Sequence, residues 1–463
     1  MTQPRQLRKI PPVSQILDEL REQEWSREFV REQLVKAVRA ELADLRLWLK
    51  QSTPADAAPP IENLIQRIQD RLKRTHSYSL RRVINATGVI VHTNLGRSPL
   101  AADAIEHLTE IAGGYSNLEL DLDEGTRGSR EIHTEKYLTE LLPVEASLVV
   151  NNNAAALLLI LNTFAEGKEV LVSRGELVEI GGSFRLPEIM KRSGAILREI
   201  GTTNKTRLED YSKAISERTG LILVVHPSNY QIIGFTERPS LKSIAVLGKH
   251  HSIPVVEDHG SGILFDLTEA GIPEESNVAA RIEEGIDLIC FSGDKILGGP
   301  QAGIVCGLKA RVEALRKNPL FRALRVDKMV YAALEATLLL YLRGEKEKIP
   351  VLQMLFAPLE LLQQRAKNWL SQLQSRFPES SWRIESTLNY IGGGVAPMKG
   401  LPSCAVSLKH PVMTSEQLAR ALRESDIPVI ARIEEERLFF ELRTLTVQEE
   451  EDIALALKKI FEP

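Results

Sequence analysis

Apolar residues recur at spacings of three and four over residues 13–51. This spacing predicts an amphipathic helix, which the turn-forming run Thr53–Pro60 ends. A second amphipathic helix is predicted from Ile61 to about Lys73. The two helices predict a small helical N-terminal domain over residues 1–82. Because this segment carries no catalytic cluster of its own, we expect it to have a binding or packing role.

From Val83 onward, short apolar runs alternate with segments of helical length. Such alternation is typical of a mostly parallel sheet with helices on both faces, so residues 83–330 predict a large α/β domain. The predicted strands are Ser147–Val150, Glu169–Val172, Ile196–Ile200, Leu221–Val225, Ile253–Glu257, Leu288–Phe291 and Ala302–Cys306. In sheets of this kind, ligands bind at the carboxyl ends of the strands.

The remaining residues, 331–463, predict a smaller α+β domain. A long helix is predicted to start just after Leu320 and to lead out of the large domain, and a second helical stretch covers Pro350–Phe377. Strand-like runs start at Cys404, Ile427 and Leu438, and a closing helix starts at Val447. A small domain of this kind is the usual partner of a large α/β domain.

Composition narrows the class of protein. The 463 residues are 43% hydrophobic and 26% charged, which is ordinary for a soluble protein of two or three domains. The three cysteines are far apart in apolar stretches, so neither a disulfide framework nor a metal cluster is expected, and a cytoplasmic location is favoured. The most apolar run is too short to cross a bilayer, so no membrane role is expected.

The net charge of −4 is unevenly distributed. Residues 1–82 carry +5, from 16 Lys and Arg against 11 Asp and Glu, and the remainder carries −9. The basic end contains Arg71, Lys73, Arg74, Arg81 and Arg82, interleaved with His76 and Tyr78. Basic side chains mixed with rings can hold phosphates and stack on bases, which makes this segment a candidate RNA-binding site. A solvated helix end followed by a linker is the alternative.

The stretch Phe291–Gly303, FSGDKILGGPQAG, is the most informative for chemistry. A strand-like run delivers Ser292 and Lys295 onto a turn at the mouth of the predicted sheet. A lysine on a tight loop can hold an aldehyde cofactor as a Schiff base while the hydroxyl three residues earlier binds a phosphate. This spacing favours pyridoxal phosphate. The alternative is a surface turn with a solvated lysine.

Three other predicted strand ends carry compatible residues. Asn152, Asn153 and Ala154 open a helix, where small residues let backbone N–H groups and the positive helix end approach a phosphate. A plain helix cap is the alternative. His226 can lie against a cofactor ring. Asp258 can pair with a protonated pyridine nitrogen, which makes the ring an electron sink, or it can form a plain turn.

The order of these features is a phosphate-binding turn, an acidic strand end and a lysine 37 positions later. This order resembles that of aminotransferase-like, fold-type-I pyridoxal phosphate enzymes. Several runs resemble the bacterial selenocysteine synthase family, the L-seryl-tRNA selenium transferases: INATGVIVHTNLGR, VNNNAAALLLI, SRGELVEIGGSFRLP, GTTNKT, EDHGSG, FSGDKILGGPQAG and RALRVDKM. The most specific of them lie between residues 83 and 330.

The resemblance implies that serine esterified to the selenocysteine tRNA is converted to selenocysteinyl-tRNA with selenophosphate. It implies that Lys295 carries the internal aldimine, yields it to an external aldimine with the seryl amine and removes the Cα proton. Elimination from Cβ then gives aminoacrylyl-tRNA, which takes up selenium. Asp294 is implied to assist, and Asp258 to hold the pyridinium nitrogen. The resemblance further implies a tRNA-holding N-terminal domain and a homodecamer of dimers with active sites between subunits.

Four arginines match family positions that line the selenophosphate pocket: Arg97, Arg130, Arg322 and Arg325. Arginine suits this role because its planar fork grips two phosphate oxygens and keeps its charge. Arg322 and Arg325 are three apart in a predicted helix, so they are expected on one face. Without the resemblance, a salt bridge for Arg130 and a solvated helix face for the other two would be preferred.

Two other functions stay open at this point. One is a lyase of the same fold that acts on a small phosphorylated or sulfur-containing substrate, although such an enzyme does not need the helical N-terminal domain. The other is a catalytically silent tRNA-binding scaffold, against which the presence of Lys295, Asp258 and Ser292 speaks.

Overall fold

The computed structural model describes residues 10–51, 59–180, 184–227, 230, 232–272, 275–396 and 399–462. Within it the chain divides into two units, residues 1–82 and residues 83–463. No helix in the described part of the chain is both long and apolar enough to span a membrane.

The N-terminal unit consists of helices α1 (Val13–Arg21), α2 (Arg31–Gln51) and α3 (Ile61–His76). The prediction of one helix over residues 13–51 is wrong, because a short 3-10 segment, Glu24–Glu28, separates α1 from α2. The break lets both helices contribute to one core, in which Leu20, Val38 and Ile68 are buried. A single straight helix has no partner for its own apolar stripe, so burial favours the fold-back.

The second unit contains the strands and the remaining helices. Its strands, within the described residues, are β1 (Ile84–Ala86), β2 (Val89–Val91), β3 (Ala146–Val150), β4 (Glu169–Ser173), β5 (Glu179–Ile180), β6 (Phe184–Arg185), β7 (Ile196–Ile200), β8 (Thr219–Val225), β9 (Val255–Gly260), β10 (Leu288–Ser292), β11 (Gly303–Gly307), β12 (Ser381–Gly392), β13 (Leu401–Lys409), β14 (Val429–Glu434) and β15 (Arg437–Glu441). Its helices are α4 (Ala102–Ala112), α5 (Ile132–Leu141), α6 (Asn153–Ala165), α7 (Leu186–Arg192), α8 (Leu208–Ala214), α9 (Leu241–His250), α10 (Val278–Glu283), α11 (Lys309–Lys317), α12 (Pro319–Leu324), α13 (Lys328–Leu342), α14 (Pro350–Leu355), α15 (Leu359–Arg376), α16 (Ser415–Arg423) and α17 (Val447–Phe461).

A seven-stranded sheet has the order β3-β11-β10-β9-β8-β4-β7. Its strands run parallel except β11, which is antiparallel to both neighbours. All seven predicted strands are present near their predicted bounds, which confirms the mostly parallel α/β class. Leu148 and Val149 of β3 belong to different apolar cores, one on each face of the sheet. Burial on both faces explains why these strands are continuous apolar runs.

A second sheet has the order β1-β14-β15-β13-β12-β2. β1 and β2 therefore belong to the sheet formed by the C-terminal strands, although residues 83–330 were assigned to the large domain. β1 runs parallel to β14, and β2 runs parallel to β12. Strand β12 was not predicted from the sequence, since only some of its residues are buried and no continuous apolar run marks it.

The long helix predicted after Leu320 is two helices, α12 and α13. The Asp327 side chain accepts hydrogen bonds from Met329 N (2.9 Å) and Val330 N (3.1 Å) and so caps the start of α13. Before it, Arg325 is extended and forms a bridge with Val150 at the end of β3. The expectation that Arg322 and Arg325 share one helix face is therefore wrong.

The helical stretch predicted over Pro350–Phe377 is also divided. α14 ends at Leu355, and α15 begins at Leu359, directly after Pro358. A proline disfavours helical backbone in the residue before it, which explains the break at Ala357. The closing helix predicted from Val447 is confirmed as α17.

Candidate active site

The loop that follows β10 is buried at the carboxyl edge of the large sheet. Lys295 is only 7% exposed, and its neighbour Asp294 is also buried. Hydrogen bonds from Gly293 N to Ala302 O (2.8 Å) and from Gly299 N to Gly293 O (2.9 Å) close the loop. The structure therefore places Lys295 in the interior and does not support the alternative of a solvated surface turn.

Asp258 lies at the neighbouring strand end, on β9, and is 6% exposed. A Cβ atom added to Gly260 would lie 3.8 Å from Lys295 Nζ and 4.0 Å from Asp258 Oδ1. The amine and the carboxylate therefore border the same small space. Asn153 Nδ2 donates a hydrogen bond to Asp258 Oδ1 at 2.7 Å. The Asn153 side chain therefore orients this carboxylate, whereas its predicted phosphate contact is made through its backbone N–H group and stays a prediction.

Burial controls the charge of both groups. Desolvation raises the pKa of the Asp258 carboxyl, while the Asn153 hydrogen bond and the charge of Lys295 act in the opposite direction. Desolvation likewise lowers the pKa of Lys295, against the attraction of Asp258. Among the described residues, Lys295 Nζ makes no ion pair. The arrangement places an amine whose protonated form is disfavoured by burial beside a carboxylate that a cationic ligand group would stabilise.

The first turn of α6 lies at the same edge of the sheet. Asn152 Oδ1 accepts a hydrogen bond from Ala155 N at 2.9 Å, so its side chain is the helix cap that the sequence left as the alternative. The N–H groups of Asn153 and Ala154 have no acceptor within the described residues. Ser292 pairs in register with Gly303 on β11, next to this turn. Two backbone donors and one hydroxyl are thus placed where an anion can bind.

Gly303 allows the close approach of β11 to α6. A Cβ atom at this position would lie 2.1 Å from Asn152 O. We expect Gly303→Ala to displace the start of α6 and to destabilise the fold by about 2 kcal/mol, the usual range for overpacking. Urea unfolding measures this loss. The control is Gly114→Ala, because a Cβ atom there meets nothing within 4 Å; equal stability of the two variants would contradict the close approach.

His226 directly follows β8, the strand that pairs with β9 at the same edge of the sheet. Its backbone N donates to Asp258 O at 3.0 Å, and its Nε2 lies 3.4 Å from Glu275 Oε2. The ring lies 5.3 Å from that of His259. Burial, with His259 nearby, lowers the pKa of His226 to about 4, so the ring is neutral at neutral pH. Ser228 and Asn229, which follow in the sequence, lie outside the described residues.

A cavity of about 280 Å³ has His226 in its wall. Glu176, which sequence reasoning missed, lines this cavity and accepts a hydrogen bond from Val225 N at 3.1 Å. Burial raises the pKa of Glu176 from 4.5 to about 7. No pattern in the sequence marks Glu176, because its environment is made by strands that are distant along the chain.

The raised pKa of Glu176 makes stability depend on pH. The folded protein binds more protons than the unfolded chain between pH 4.5 and about 7, so stability falls as the pH rises through this window. We expect Glu176→Gln to be more stable than the wild type at pH 8 by about 3 kcal/mol, since its amide oxygen still accepts from Val225 N. Urea unfolding at pH 8 and pH 4.5 tests this. A difference that does not shrink at the lower pH would refute it.

Arg97 is brought directly to the lysine loop. Its Nη1 donates to Asp294 Oδ1 (2.9 Å) and Oδ2 (2.7 Å). Ser98 N donates to Asp294 O at 3.2 Å, and Ser98 Oγ donates to Lys295 O. Arg97 has a φ of +66°, an uncommon conformation for a residue with a side chain. The segment around Arg97 is therefore docked on the residue next to Lys295.

Arg130 and Arg325 meet at Glu119, a residue that the sequence did not single out. Arg130 Nε donates to Glu119 Oε1 at 3.0 Å, and Arg325 Nη1 lies 3.6 Å from the same oxygen. The salt bridge considered as the alternative for Arg130 is thus present. Arg322 is exposed on α12 and is not one of the arginines paired with Glu119.

A larger cavity of about 910 Å³ opens beside Arg97. Its wall includes Leu352 and Phe356, and the Lys346 amine lies 5.5 Å from the centre of the Phe356 ring. Arg97 lines this cavity and also contacts Asp294, the neighbour of Lys295. The cavity has room for a ligand much larger than a free amino acid.

The basic segment at the end of the N-terminal unit is divided in its roles. Arg71 pairs with Glu41 (3.1 Å) and with Asp44, so it joins α3 to α2. Its assignment as an RNA contact stays a prediction. The other four basic residues, Lys73, Arg74, Arg81 and Arg82, are exposed.

Comparisons with known proteins cover nearly the whole chain. A family model described as L-seryl-tRNA selenium transferase matches residues 83–446, and one described as selenocysteine synthase N terminal matches residues 7–46. A Carboxydothermus hydrogenoformans protein named L-seryl-tRNA(Sec) selenium transferase is 47% identical over 447 residues, 96% of this chain and 95% of that protein. An Aquifex aeolicus protein of the same name is 44% identical over 456 residues, 98% and 99% of the two chains.

A solved structure supports the fold. The chain of D-glucosaminate-6-phosphate ammonia-lyase is 17% identical and aligns with a TM-score of 0.58 over 82% of this chain and 96% of that chain. This likeness bears on the fold alone, and it confirms the predicted aminotransferase-like, fold-type-I class. The family models and the long, highly identical relatives go further. They show that the chain belongs to the L-seryl-tRNA selenium transferase family.

Proposed function

We propose that this protein converts seryl-tRNA(Sec) to selenocysteinyl-tRNA(Sec), with pyridoxal phosphate as cofactor and selenophosphate as selenium donor. The observation that carries the proposal is the buried pair Lys295 and Asp258, which borders one small space at the carboxyl edge of the sheet. Membership in the family supplies the substrate class, since the relatives are named for it.

The residues present fit pyridoxal phosphate. Lys295 would hold the aldehyde carbon, and Asp258 would face the pyridine nitrogen, whose positive charge offsets the cost of burying the carboxylate. Ser292 and the N–H groups of Asn153 and Ala154 would bind the phosphate, and His226 would lie near the ring. When bound, this cofactor withdraws electrons from the substrate Cα.

The protein's own groups then handle protons and position. Burial lowers the pKa of Lys295, which favours Nζ as the group that accepts the Cα proton of the seryl group. Asp294, held by Arg97 beside Lys295, is placed to assist this transfer. The open 910 Å³ cavity next to Arg97 leaves room for a seryl group that is still attached to tRNA.

Four arginines are proposed to bind the phosphate part of selenophosphate: Arg97, Arg130, Arg322 and Arg325. The contact of Arg97 with Asp294 brings one of them to the lysine loop, and Arg130 and Arg325 gather at Glu119. A dianion suits such a cluster, because arginine stays charged and donates two parallel hydrogen bonds.

The N-terminal unit is proposed to hold the tRNA through Lys73, Arg74, Arg81 and Arg82, in a cytoplasmic homo-oligomer built from dimers. Recognition would rest on phosphate contacts and RNA shape.

We expect the double change Lys73→Glu and Arg74→Glu to weaken tRNA binding about tenfold. The slope of log affinity against log salt concentration should fall by about 2. The control is Lys36→Glu with Arg39→Glu, an equal charge change on exposed residues of α2. An equal loss of tRNA affinity in the two double variants would refute the assignment of Lys73 and Arg74 as tRNA contacts.

The direct test incubates the cofactor-loaded protein with seryl-tRNA(Sec) and selenophosphate and identifies the amino acid released from the tRNA. Selenocysteine is the expected result. Unchanged serine, with the cofactor demonstrably bound, would overturn the proposal in favour of the small-substrate lyase.

A further inference from the structure

Three arginines converge on one carboxylate in the second unit. Glu119 Oε1 accepts from Arg130 Nε (3.0 Å) and from Arg130 Nη2, and it lies 3.6 Å from Arg325 Nη1. Its other oxygen, Oε2, accepts from Arg127 Nη2 at 3.0 Å. The three guanidinium groups lower the pKa of Glu119, the hydrogen bond from Arg130 most of all, so the carboxylate is ionised. Three cations and one anion leave a net charge of +2.

Most donors of this cluster stay available. An arginine has five N–H groups. Arg130 uses three of them, two on Glu119 and one on Val326 O at 2.9 Å. Arg325 Nε is buried and has no hydrogen-bond partner within the described residues. Arg127 is 77% exposed and uses one donor on Glu119. The carboxylate therefore holds the three arginines together without exhausting their hydrogen-bonding capacity.

The cluster adjoins the edge of the sheet that carries the candidate active site. Arg325 forms a backbone bridge with Val150, the last residue of β3, and Asn151 N donates to Leu324 O at 3.1 Å. Two residues further on, Asn153 holds Asp258. The backbone of residues 150–153 and the Asn153 side chain thus link the cluster to Asp258, the carboxylate beside Lys295.

We propose that Glu119 is the positioning residue of an anion site, and that Arg127 is a further arginine of this site which binds a dianionic phosphate-type ligand. A net charge of +2 matches such a dianion, and a fixed cluster loses less side-chain entropy on binding than three independent arginines. The inference rests on the proposed function for the identity of the ligand, which would be the selenium donor.

Inorganic phosphate is the probe, and calorimetry on the cofactor-loaded protein measures its dissociation constant. We expect Glu119→Ala to raise this constant at least tenfold, and Glu119→Gln to raise it less, because the amide oxygen still accepts from Arg130. KM for selenophosphate should rise in parallel, while the visible absorbance of the cofactor and kcat change little. Glu124→Ala is the matched control: it removes the same charge from the same loop, but within the described part of the chain the Glu124 side chain has no hydrogen bond or ion pair with an arginine.

The direction in which phosphate affinity changes in Glu119→Ala distinguishes a positioning role of Glu119 from a simple effect of its negative charge. Removal of a negative charge alone would tighten phosphate binding, so tighter binding in Glu119→Ala would overturn the proposal. If that variant does not fold, Arg127→Ala serves instead, since this exposed residue is not needed for the core. We expect it to weaken phosphate binding several-fold, and unchanged binding would refute its role.

The outcomes also separate this inference from the proposed function. If the wild type makes selenocysteinyl-tRNA and the Glu119 variants bind phosphate normally, the positioning role fails while the function stands. If the wild type makes no product, but Glu119→Ala binds phosphate more weakly than the wild type, the anion site stands and the proposed function fails.

Discussion

Lys295→Ala is expected to lower turnover by about 10⁴-fold, the upper range for loss of a positioned acid–base group. The loss is large because one buried amine would both hold the cofactor covalently and move the Cα proton. Selenocysteine formation on the tRNA measures it. A second measurement is independent of activity: borohydride should fix the cofactor to the Lys295 peptide of the wild type and to no peptide of the variant.

The matched control for this change is Lys309→Ala. Lys309 is exposed at the start of α11, close in sequence but outside the buried loop. It should keep full turnover and the borohydride-fixed cofactor. Turnover that survives Lys295→Ala, or a cofactor fixed to the chain without Lys295, would refute the assignment.

Asp258→Asn is expected to lower turnover about 10²-fold. The change would leave the positive pyridine nitrogen buried without its carboxylate partner, which costs about 3 kcal/mol. The amide keeps the shape of the carboxyl group but cannot offset a positive pyridine nitrogen. Turnover and the amount of cofactor retained after gel filtration measure the effect. Full turnover in this variant would show that Asp258 does not pair with the cofactor.

A smaller change at the same place gives a graded comparison. Asn153→Ala removes one hydrogen bond to Asp258 but leaves its charge. We expect a loss of about tenfold, because a hydrogen bond to a charged group contributes about 1.5–3 kcal/mol. A loss larger than that of Asp258→Asn would place the main role on the amide instead of the carboxylate.

Much of the fold could be predicted from the sequence. The seven strands of the large sheet are apolar runs bounded by polar turns, since strands buried on both faces tolerate little else. The loop with Lys295 and the strand end with Asp258 could be placed at the edge of the sheet for the same reason. These are local features, and their residues are neighbours along the chain.

The positions at which helices begin and end could be predicted less well. The pattern over residues 13–51 and the pattern after Leu320 each predict one helix, whereas the structure has breaks before Arg31 and before Lys328. Helical spacing reports which residues face a core, and it persists when a helix folds back onto the same core. The side-chain cap at Asp327 is a local feature that marks one of these breaks.

Sequence alone determined the α/β class, the positions of the large-sheet strands along the chain and the candidate lysine, because each depends on short-range patterns of polarity. Only the tertiary structure decided the partners of the polar side chains. Asn153 and Asp258 are 105 positions apart, and Arg130 and Val326 are 196 apart. Polar side chains carry no periodicity that encodes such distant contacts; burial and the cost of unpaired polar groups select them when the strands come together.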